Sequence, residues 1–259
     1  MHPLWRGMLD LLYPPRCEAC GRLRREPICD ECRASIEHIR PPVCEMCGQP
    51  FDPRAKAAPR CAECRGRRRS SWVARSAAYY DGPLAAAIRR FKYDGQLVLG
   101  GPLGRVMVQA LENGAARDLD PATIDVVCAV PLHESRLRER GFNQSEVLAE
   151  AVAEAIEKPL KPLLERTRPT APQVDLPASS RVRNVRGAFA ARLEEPIEGK
   201  HVLLIDDLFT TGATLRECAR VLRRAGAAEV RIFALARPVP PWRRAGTDAR
   251  ALAREHRVD

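Results

Sequence analysis

The chain has 259 residues, ten cysteines and a formal net charge of +10, from 43 Lys and Arg against 33 Asp and Glu. With 45% hydrophobic and 29% charged residues, its composition excludes a wholly disordered or fibrous chain. No run approaches the roughly 18 apolar residues of a membrane span, and Arg6 and Asp10 interrupt the apolar stretch that a signal peptide would need. The sequence therefore predicts a cytoplasmic protein with reduced cysteines.

The cysteines divide the chain, because eight of the ten fall between Cys17 and Cys64. We predict a small N-terminal domain at 1–70, an α/β domain at 71–237 and a C-terminal tail at 238–259 that opens with three prolines in four residues. The N-terminal part shows little apolar periodicity. It therefore needs a metal or a comparable cross-link to fold.

The eight N-terminal cysteines form four CxxC pairs that repeat as two units, since "CEACGR" and "CDECR" are followed by "CEMCGQ" and "CAECR". Two CxxC pairs supply four thiolates for one tetrahedral zinc, and such a closed shell is typical of a structural site. The repeat favours two zinc ions held by consecutive pairs; one degenerate site is the alternative. The predicted ligands are Cys17, Cys20, Cys29 and Cys32 for the first ion and Cys44, Cys47, Cys61 and Cys64 for the second.

The α/β part alternates two kinds of pattern. Apolar runs at 124–132, 201–206 and 229–236 are typical of strands buried on both faces. Helical periodicity at 145–157 and 213–225 predicts two amphipathic helices. The inward face of the first would carry Val147, Leu148, Ala151, Val152, Ala155 and Ile156. This alternation predicts a mostly parallel sheet. Cys128 and Cys218 fall on an apolar strand and an apolar helix face and are interpreted as core residues.

The segment 166–192 interrupts this rhythm. It contains six arginines against a single acid, Asp175, together with three prolines. We predict a long basic excursion from the sheet, and loops of that length inside a compact domain are commonly functional or mobile.

The strand predicted at 201–206 ends in two adjacent carboxylates, Asp206 and Asp207, and a short turn follows. The turn consists of Thr210, Thr211, Gly212, Ala213 and Thr214. Hydroxyls and free N–H groups at a helix N-terminus form an anion site. Carboxylates would repel a phosphate there, so they should face ribose hydroxyls or Mg²⁺. A phosphate site beside a site for ribose hydroxyls suits a sugar phosphate. The alternative is a threonine that only caps the helix, beside a solvated acid pair.

The order of residues over 202–214 resembles the phosphoribosyl pyrophosphate (PRPP) signature of type I phosphoribosyltransferases. The segments at 79–95, 130–152 and 183–189, behind a cysteine-rich ribbon, resemble the ComF family. That family includes the competence protein implicated in DNA uptake by natural transformation and amidophosphoribosyltransferase-like relatives. The resemblance implies a type I phosphoribosyltransferase fold with a mostly parallel sheet and a double zinc ribbon, over all but roughly the last 20 residues.

The resemblance also implies roles for individual residues. Thr210–Thr214 would bind the 5′-phosphate of PRPP, while Asp206 and Asp207 would hold the ribose hydroxyls, often through Mg²⁺, and serve as the catalytic acids. The loop after the first core strand would lie against the diphosphate, and here that loop is Pro131, Leu132 and His133. Arg136 and Arg140 could neutralise the diphosphate, and 166–192 is the candidate flap.

Three points stay open at this stage. No base-recognition element is readable, so the acceptor of a phosphoribosyl group is not defined. His133 could act on an acceptor, although a histidine after a strand is more often a hydrogen-bonded structural residue. For Arg138, a solvated helix face is as good an interpretation as a diphosphate contact.

Two functions from different classes fit the chain. The first is a PRPP-dependent, Mg²⁺-requiring phosphoribosyltransferase, and the second is a non-catalytic PRPP sensor or single-stranded-DNA-binding factor that works with DNA-uptake proteins. Basic groups interleaved with aromatics favour strand binding. They occur at Arg67, Arg68, Arg69 and Trp72, and at Arg89, Arg90, Phe91, Lys92 and Tyr93. An exposed linker is the alternative for the first of these clusters.

Overall fold

The computed structural model of the chain describes residues 14–54, 59–66, 72–114, 116, 118–170, 178–192 and 194–243. In chain order its helices and strands are α1 (Asp30–Ala34), β1 (Trp72–Tyr80), α2 (Gly82–Tyr93), α3 (Gly100–Asn113), β2 (Val126–Ala129), α4 (Glu134–Arg140), α5 (Gln144–Ala155), β3 (Leu164–Arg166), α6 (Ala178–Val185), β4 (Phe189–Ala191), β5 (His201–Leu208), α7 (Ala213–Arg224) and β6 (Glu229–Pro238). No helix in these ranges is long and apolar enough to cross a membrane.

Four of the strands form one parallel sheet in the order β1-β6-β5-β2. The three strands predicted from apolar runs are confirmed, and β5 lies in the interior of the sheet. The sheet also contains β1, which precedes them, so the loop at 131–133 follows the second strand of the chain rather than the first. The sequence of β1 hides its position, because Arg75 and Ser76 interrupt the apolar pattern although both are buried.

Helices cover both faces of the sheet. On one face α2, α3 and α5 pack on Leu203, Ile205 and Phe233, and on the other α7 packs on Leu204 and Ile232. Both predicted helices are confirmed, with one correction to the face of α5. It buries Ala149 and Ala153, whereas Ala155, predicted to face inward, is exposed. α5 packs against both α3 and the sheet, so its buried face is wider than a single apolar stripe, and Ala155 is its last residue. Cys128 and Cys218 are core residues, as predicted.

The basic segment contains more regular structure than the predicted excursion. β3 and β4 pair antiparallel, with Arg166 opposite Phe189, and α6 lies between them in sequence. Arg168 closes the unit by donating to the carbonyl oxygens of Asn184 and Arg186, at 3.0 and 2.8 Å. Strands of three residues are too short to show a period of two. Residues 171–177, with Asp175, lie outside the described ranges.

The N-terminal repeat is confirmed by matching hydrogen bonds. In the first unit the N–H of Gly21 donates to the carbonyl of Cys17 at 2.8 Å, and in the second Gly48 donates to Cys44 at 2.9 Å. Both glycines adopt the left-handed conformation, with φ of +75° and +65°. We call residues 14–40 the first ribbon and 41–66 the second ribbon, within the described ranges.

Consecutive cysteine pairs converge as predicted. The four sulfur atoms of each predicted set lie within 4.8 Å of one another. Zinc–sulfur bonds of roughly 2.3 Å in a tetrahedron place sulfurs roughly 3.8 Å apart, so both sets fit zinc. The backbone N–H of Cys29 donates to the Cys17 sulfur, and that of Cys61 to the Cys44 sulfur, each at 3.4 Å. The Cys47 thiol and backbone N–H groups lower the pKa of Cys44 to about 4, which favours the thiolate that a metal binds.

The ribbons pack directly against the sheet. The N–H of Ala74 donates to the carbonyl of Met46 at 2.8 Å, and that of Tyr79 to the carbonyl of Glu37 at 3.0 Å. These bonds cover the open edge of β1, where unpaired backbone groups would otherwise remain. Ile28 and Ile36 join the same core as Phe91. The boundary predicted at residue 70 lies among residues 67–71, which are outside the described ranges. The predicted tail is described only as far as Arg243.

We expect the purified protein to contain two zinc ions per chain. Cys20→Ser and Cys61→Ser should each lower the content to one, because each removes a ligand from a different set. Cys218→Ala is the matched control, since this buried cysteine belongs to neither set and should leave two ions in place. Metal analysis by mass spectrometry measures the content, and one zinc or none in the unchanged chain would contradict the pairing.

Candidate functional site

The end of β5 buries two neighbouring carboxylates. Asp206 accepts hydrogen bonds at Oδ1 from the Ser145 hydroxyl and from the N–H of Asp207, each at 2.9 Å. Asp207 forms an ion pair with Lys92, with 2.8 Å between Oδ2 and Nζ. Burial and the adjacent charge of Asp207 raise the pKa of Asp206 to about 7, against the partial relief given by Lys92. One of the two acids therefore titrates close to neutral pH.

Lys92 reaches this acid pair from the last turn of α2. Its side chain is almost enclosed. Burial on its own lowers the pKa of Lys92, but the charge of Asp207 outweighs that effect, and the net pKa is raised. The ammonium group therefore stays protonated and offsets one of the two negative charges.

The threonine-rich turn leads directly into α7. Gly212 occupies the N-cap position in the left-handed conformation, with φ of +68°. A Cβ at this position would lie 2.5 Å from Cζ of Phe209, so both backbone conformation and space require glycine. The Thr211 hydroxyl accepts the N–H of Ala213 at 3.4 Å. The Thr211 hydroxyl therefore bonds the first N–H of α7, as the capping alternative expects, although the N-cap position itself is Gly212.

The loop at 131–133 lies opposite this turn. His133 caps α4, since its Nδ1 accepts the N–H of Ser135 at 3.2 Å. The structural interpretation of His133 therefore holds, although its ring also faces the cavity. Asn143 caps α5 and donates from its side-chain amide to the carbonyl of Val130 at 3.1 Å. This hydrogen bond ties the start of the loop to the helix that provides Ser145.

Three arginines face the same cavity. Arg136 pairs with Glu139 at 2.8 Å, and Arg140 lies 5.2 Å from the centroid of the Tyr93 ring. Arg166 contacts the cavity from the end of β3, and burial lowers its pKa. Arg138 instead is solvent-exposed and pairs with Glu134, so the solvated-face interpretation applies to it.

These groups enclose a cavity of about 790 Å³ at the carboxyl edge of the sheet, where open α/β sheets place their ligands. Of the predicted residues, the cavity is lined by Pro131, Leu132, His133, Arg136, Arg140, Asp206, Asp207, Thr210 and Thr214. The side chains of Thr211 and Ala213 are not in the lining, and Gly212 has none to offer.

Several lining residues had no predicted role in this site, among them Lys92, Gln144 and Ser145. Arg166 was predicted only as part of the candidate flap at 166–192. Gln144 Oε1 and Arg166 Nε are buried without a hydrogen-bond partner among the described residues. Orphaned buried polar atoms at a cavity wall are satisfied by a bound ligand or by water. Gln144 and Ser145 lie within the 130–152 segment on which the family resemblance rests, so the sequence offered a signal for them. It offered none for the pairing of Lys92 with Asp207.

One predicted DNA-contact cluster is wrong. Phe91 is fully buried in the core, Lys92 pairs with Asp207, and Arg90 pairs with Glu18 at 2.6 Å. The apolar stripe of α2 turns the ring of Phe91 toward the sheet, so the aromatic side chain cannot stack on a base. The other cluster, Arg67–Arg69, lies outside the described residues.

Comparison with known families matches both parts of the chain. The double zinc ribbon domain matches residues 8–65 and the phosphoribosyl transferase domain matches residues 143–250. The α/β part therefore has the type I phosphoribosyltransferase fold, and the prediction of that fold with a parallel sheet and an N-terminal double zinc ribbon is confirmed.

Individual proteins match over most of their length. "Competence protein F" from Haemophilus influenzae is 29% identical over 236 residues, 90% of this chain and 94% of that protein. "DNA utilization protein YhgH" from Salmonella typhimurium is 32% identical over 237 residues, 90% of this chain and 95% of that protein.

Among solved structures, the glutamine PRPP amidotransferase from B. subtilis is similar at 27% identity, with a TM-score of 0.34. The match covers 52% of this chain and 25% of the amidotransferase. The chain contains both the ribbon and the transferase domain, and the Haemophilus and Salmonella relatives match it over 90% of its length. It therefore belongs to the ComF family.

Proposed function

We propose that the chain binds PRPP with Mg²⁺ in this cavity and transfers its phosphoribosyl group to an acceptor, with release of pyrophosphate. One observation carries the proposal: the acid pair and the threonine-rich turn that follows it line one cavity at the carboxyl edge of the sheet together with the 131–133 loop, which is remote from them in sequence. The orphaned Gln144 Oε1 and Arg166 Nε add an acceptor and a donor that a polar ligand would satisfy.

The parts of PRPP can be assigned by charge. The turn Thr210–Thr214, at the N-terminus of α7, suits the 5′-phosphate. Asp206 and Asp207 suit the ribose hydroxyls, because a carboxylate accepts two such bonds. The diphosphate then lies toward Pro131–His133, where Arg136 and Arg140 supply positive charge.

The donor set also fits Mg²⁺, which prefers carboxylate and phosphate oxygens. Asp206 and Asp207 are the residues that would hold it, with PRPP oxygens and water as further ligands. When bound, the ion would neutralise charge on the departing diphosphate.

The protein's own part in the reaction is positioning and charge. Asp206 and Asp207 hold the ribose so that C1′ faces the acceptor, and Arg136 and Arg140 lie where negative charge accumulates as pyrophosphate leaves. The basic segment at 166–192 lines one wall through Arg166 and Thr170. Its closure over bound PRPP would exclude water, which competes for the activated ribose.

The second candidate function is a non-catalytic one. The names of the two relatives, competence and DNA utilization, favour a factor that senses PRPP or binds single-stranded DNA beside DNA-uptake proteins in the cytoplasm. Arg183 and Arg186 are exposed on and beside α6, next to the cavity wall, and offer phosphate contacts. Both candidates share the PRPP site and differ in whether pyrophosphate is released. A pyrophosphate-release screen over nucleobases, ammonia and other amines therefore separates them.

We expect Asp206→Asn combined with Asp207→Asn to abolish PRPP binding without unfolding the protein. The change removes charge-assisted hydrogen bonds to the ribose, each worth roughly 1.5 to 3 kcal/mol. Asp125→Asn is the matched control at the opposite end of the sheet, where Asp125 accepts the N–H of His201. Calorimetric titration with PRPP and Mg²⁺ measures the affinity. Unchanged affinity in the folded double variant would refute the site.

PRPP affinity should rise with pH through neutrality. Asp206 has a raised pKa of about 7, so it is protonated below that pH and carries its charge above it. If the carboxylate form binds, the affinity falls about tenfold from pH 8 to pH 6. Asp206→Asn should remove this component and leave only the titration of PRPP itself. The idea fails if both proteins show the same pH profile.

Single-stranded DNA, where it binds, should do so through phosphate contacts without sequence preference. About four contacts give a log–log salt slope near −3. Arg183→Glu with Arg186→Glu, or charge reversal at Arg67–Arg69, should flatten the slope and leave PRPP affinity intact. Arg105→Glu, an exposed site on α3, is the matched control. Fluorescence anisotropy at several salt concentrations measures the slope, and no binding at low salt ends this alternative.

A further inference from the structure

Arg237, near the end of β6, is a buried cation in contact with the second ribbon. It is 3% exposed. Its Nη1 donates to the carbonyl oxygen of Cys47 and its Nη2 to Oε1 of Gln49, each at 3.0 Å. Among the described residues no carboxylate lies within 4.0 Å of the guanidinium, so its hydrogen-bond partners are neutral oxygens. A buried charge of this kind needs a counter-charge nearby.

The second cysteine set is the counter-charge that the structure offers. Four thiolates around one zinc ion have a net charge of −4 + 2 = −2. Cys47 belongs to this set, and Arg237 donates to its own backbone carbonyl. The guanidinium is therefore stabilised most when the second set holds its metal.

The other side of Arg237 faces the threonine-rich turn. The Cζ atom of Arg237 lies 5.0 Å from the centroid of the Phe209 ring, within range of a cation–π interaction. That ring in turn lies against Gly212, where a Cβ would be 2.5 Å from Cζ and 2.8 Å from Cε1 of Phe209. Interiors packed this closely do not absorb a shift without moving the neighbour. A displacement of Arg237 therefore shifts the Phe209 ring, and the ring shifts the backbone of the turn at Gly212.

We propose that Arg237 is a positioning residue that couples the second zinc site to the turn Thr210–Thr214. With zinc bound, Arg237 is held on the carbonyl of Cys47 and supports the Phe209 ring beneath Gly212. Without zinc this support is lost and the turn loosens. Because coupling between sites is reciprocal, a ligand in the turn raises the zinc affinity of the second ribbon and not that of the first. This last step, the effect of the ligand, rests on the proposed function.

Arg75 provides a matched control for Arg237. It is also buried and donates to a carbonyl of the same ribbon, that of Glu45, at 3.1 Å. Its charge, however, is met by Asp118, whose two oxygens lie 3.0 Å from Nε. No contact between Arg75 and Phe209 exists in the described structure. A general weakening of the ribbon should therefore affect both variants, and the proposed coupling only one.

The first experiment measures hydrogen exchange of the amides at 209–214 in the zinc-loaded protein. Arg237→Met should speed exchange there by roughly 5- to 150-fold, the range of a typical coupling free energy. Arg75→Met should leave the rate unchanged. Phe209→Leu should speed exchange in the turn while the second ribbon keeps its zinc, because the ring is the link and not a metal support. Equal rates for Arg237→Met and the unchanged chain would overturn the proposal.

A second experiment does not depend on a change at Arg237, whose variants could fail to fold. Cys61→Ser empties the second set and should speed exchange at 209–214, whereas Cys20→Ser empties the first and should not. Stepwise removal of zinc from the unchanged chain with a chromogenic chelator gives the same comparison without any variant. Exchange in the turn should increase only as the second ribbon loses its zinc. An increase that follows the loss of either zinc equally contradicts the coupling.

The ligand arm uses PRPP with Mg²⁺ and records zinc release to the chelator. PRPP should raise the chelator concentration at which the second set loses its zinc in the unchanged chain and have no effect in Phe209→Leu. If PRPP does not bind the unchanged chain, the proposed function fails, while the exchange experiments still decide the coupling. If PRPP binds and neither zinc release nor exchange responds, the coupling fails and the proposed function stands.

Discussion

Asp206 and Asp207, near the end of the interior strand β5, place a half-buried and a buried carboxylate side by side, and such charges are costly unless partners compensate them. The compensation comes from separate elements: Lys92 from α2, the Ser145 hydroxyl from α5, and a backbone N–H of β5 itself. Lys92 and Ser145 reach the acids only if their helices pack at one position along the strands of the sheet. The acid pair therefore fixes how α2 and α5 pack, and it leaves Asp206 with a pKa near neutrality because the compensation is incomplete.

The sheet has a second requirement at its edge. β1 is an outer strand, and the ribbons rather than another strand pair with its free backbone groups. This arrangement explains how a segment with few apolar residues becomes ordered. Zinc supplies the local cross-links, while Ile28 and Ile36 bury themselves in a core that belongs mostly to the α/β part. The N-terminal segment is thus a structural wall of the sheet and not an appendage.

Local patterns in the sequence predicted much of this arrangement. Each CxxC pair, each apolar run of β5 and β6, and the acid pair with its threonine-rich turn is a short continuous stretch of sequence. Such a stretch can be recognised without knowing which other residues it contacts. Long-range pairings had no such signal. Lys92 reads as a surface base until α2 is placed on the sheet, and β1 contains Arg75, whose partners Glu45 and Asp118 are remote in sequence. The strands β3 and β4 were missed because three residues show no period.

The two ribbons meet opposite faces of the sheet. Cysteines of the first ribbon join the core beneath α2, α3 and α5, and cysteines of the second join the core beneath α7. Each ribbon also contacts a residue close to the groups that line the cavity. Glu18 pairs with Arg90 on the helix that provides Lys92, whereas Cys47 accepts from Arg237, which lies against Phe209.

The duplication of the ribbon thus has a physical rationale in the fold. One parallel sheet has two faces, and the groups at its carboxyl edge come from helices on both of them. A single ribbon could brace only one face, through α2 and the lysine that compensates Asp207. The second ribbon braces the other face, where Gly212 and α7 form the turn. Two copies of one small unit therefore support the acid pair and the threonine-rich turn from opposite sides of β5.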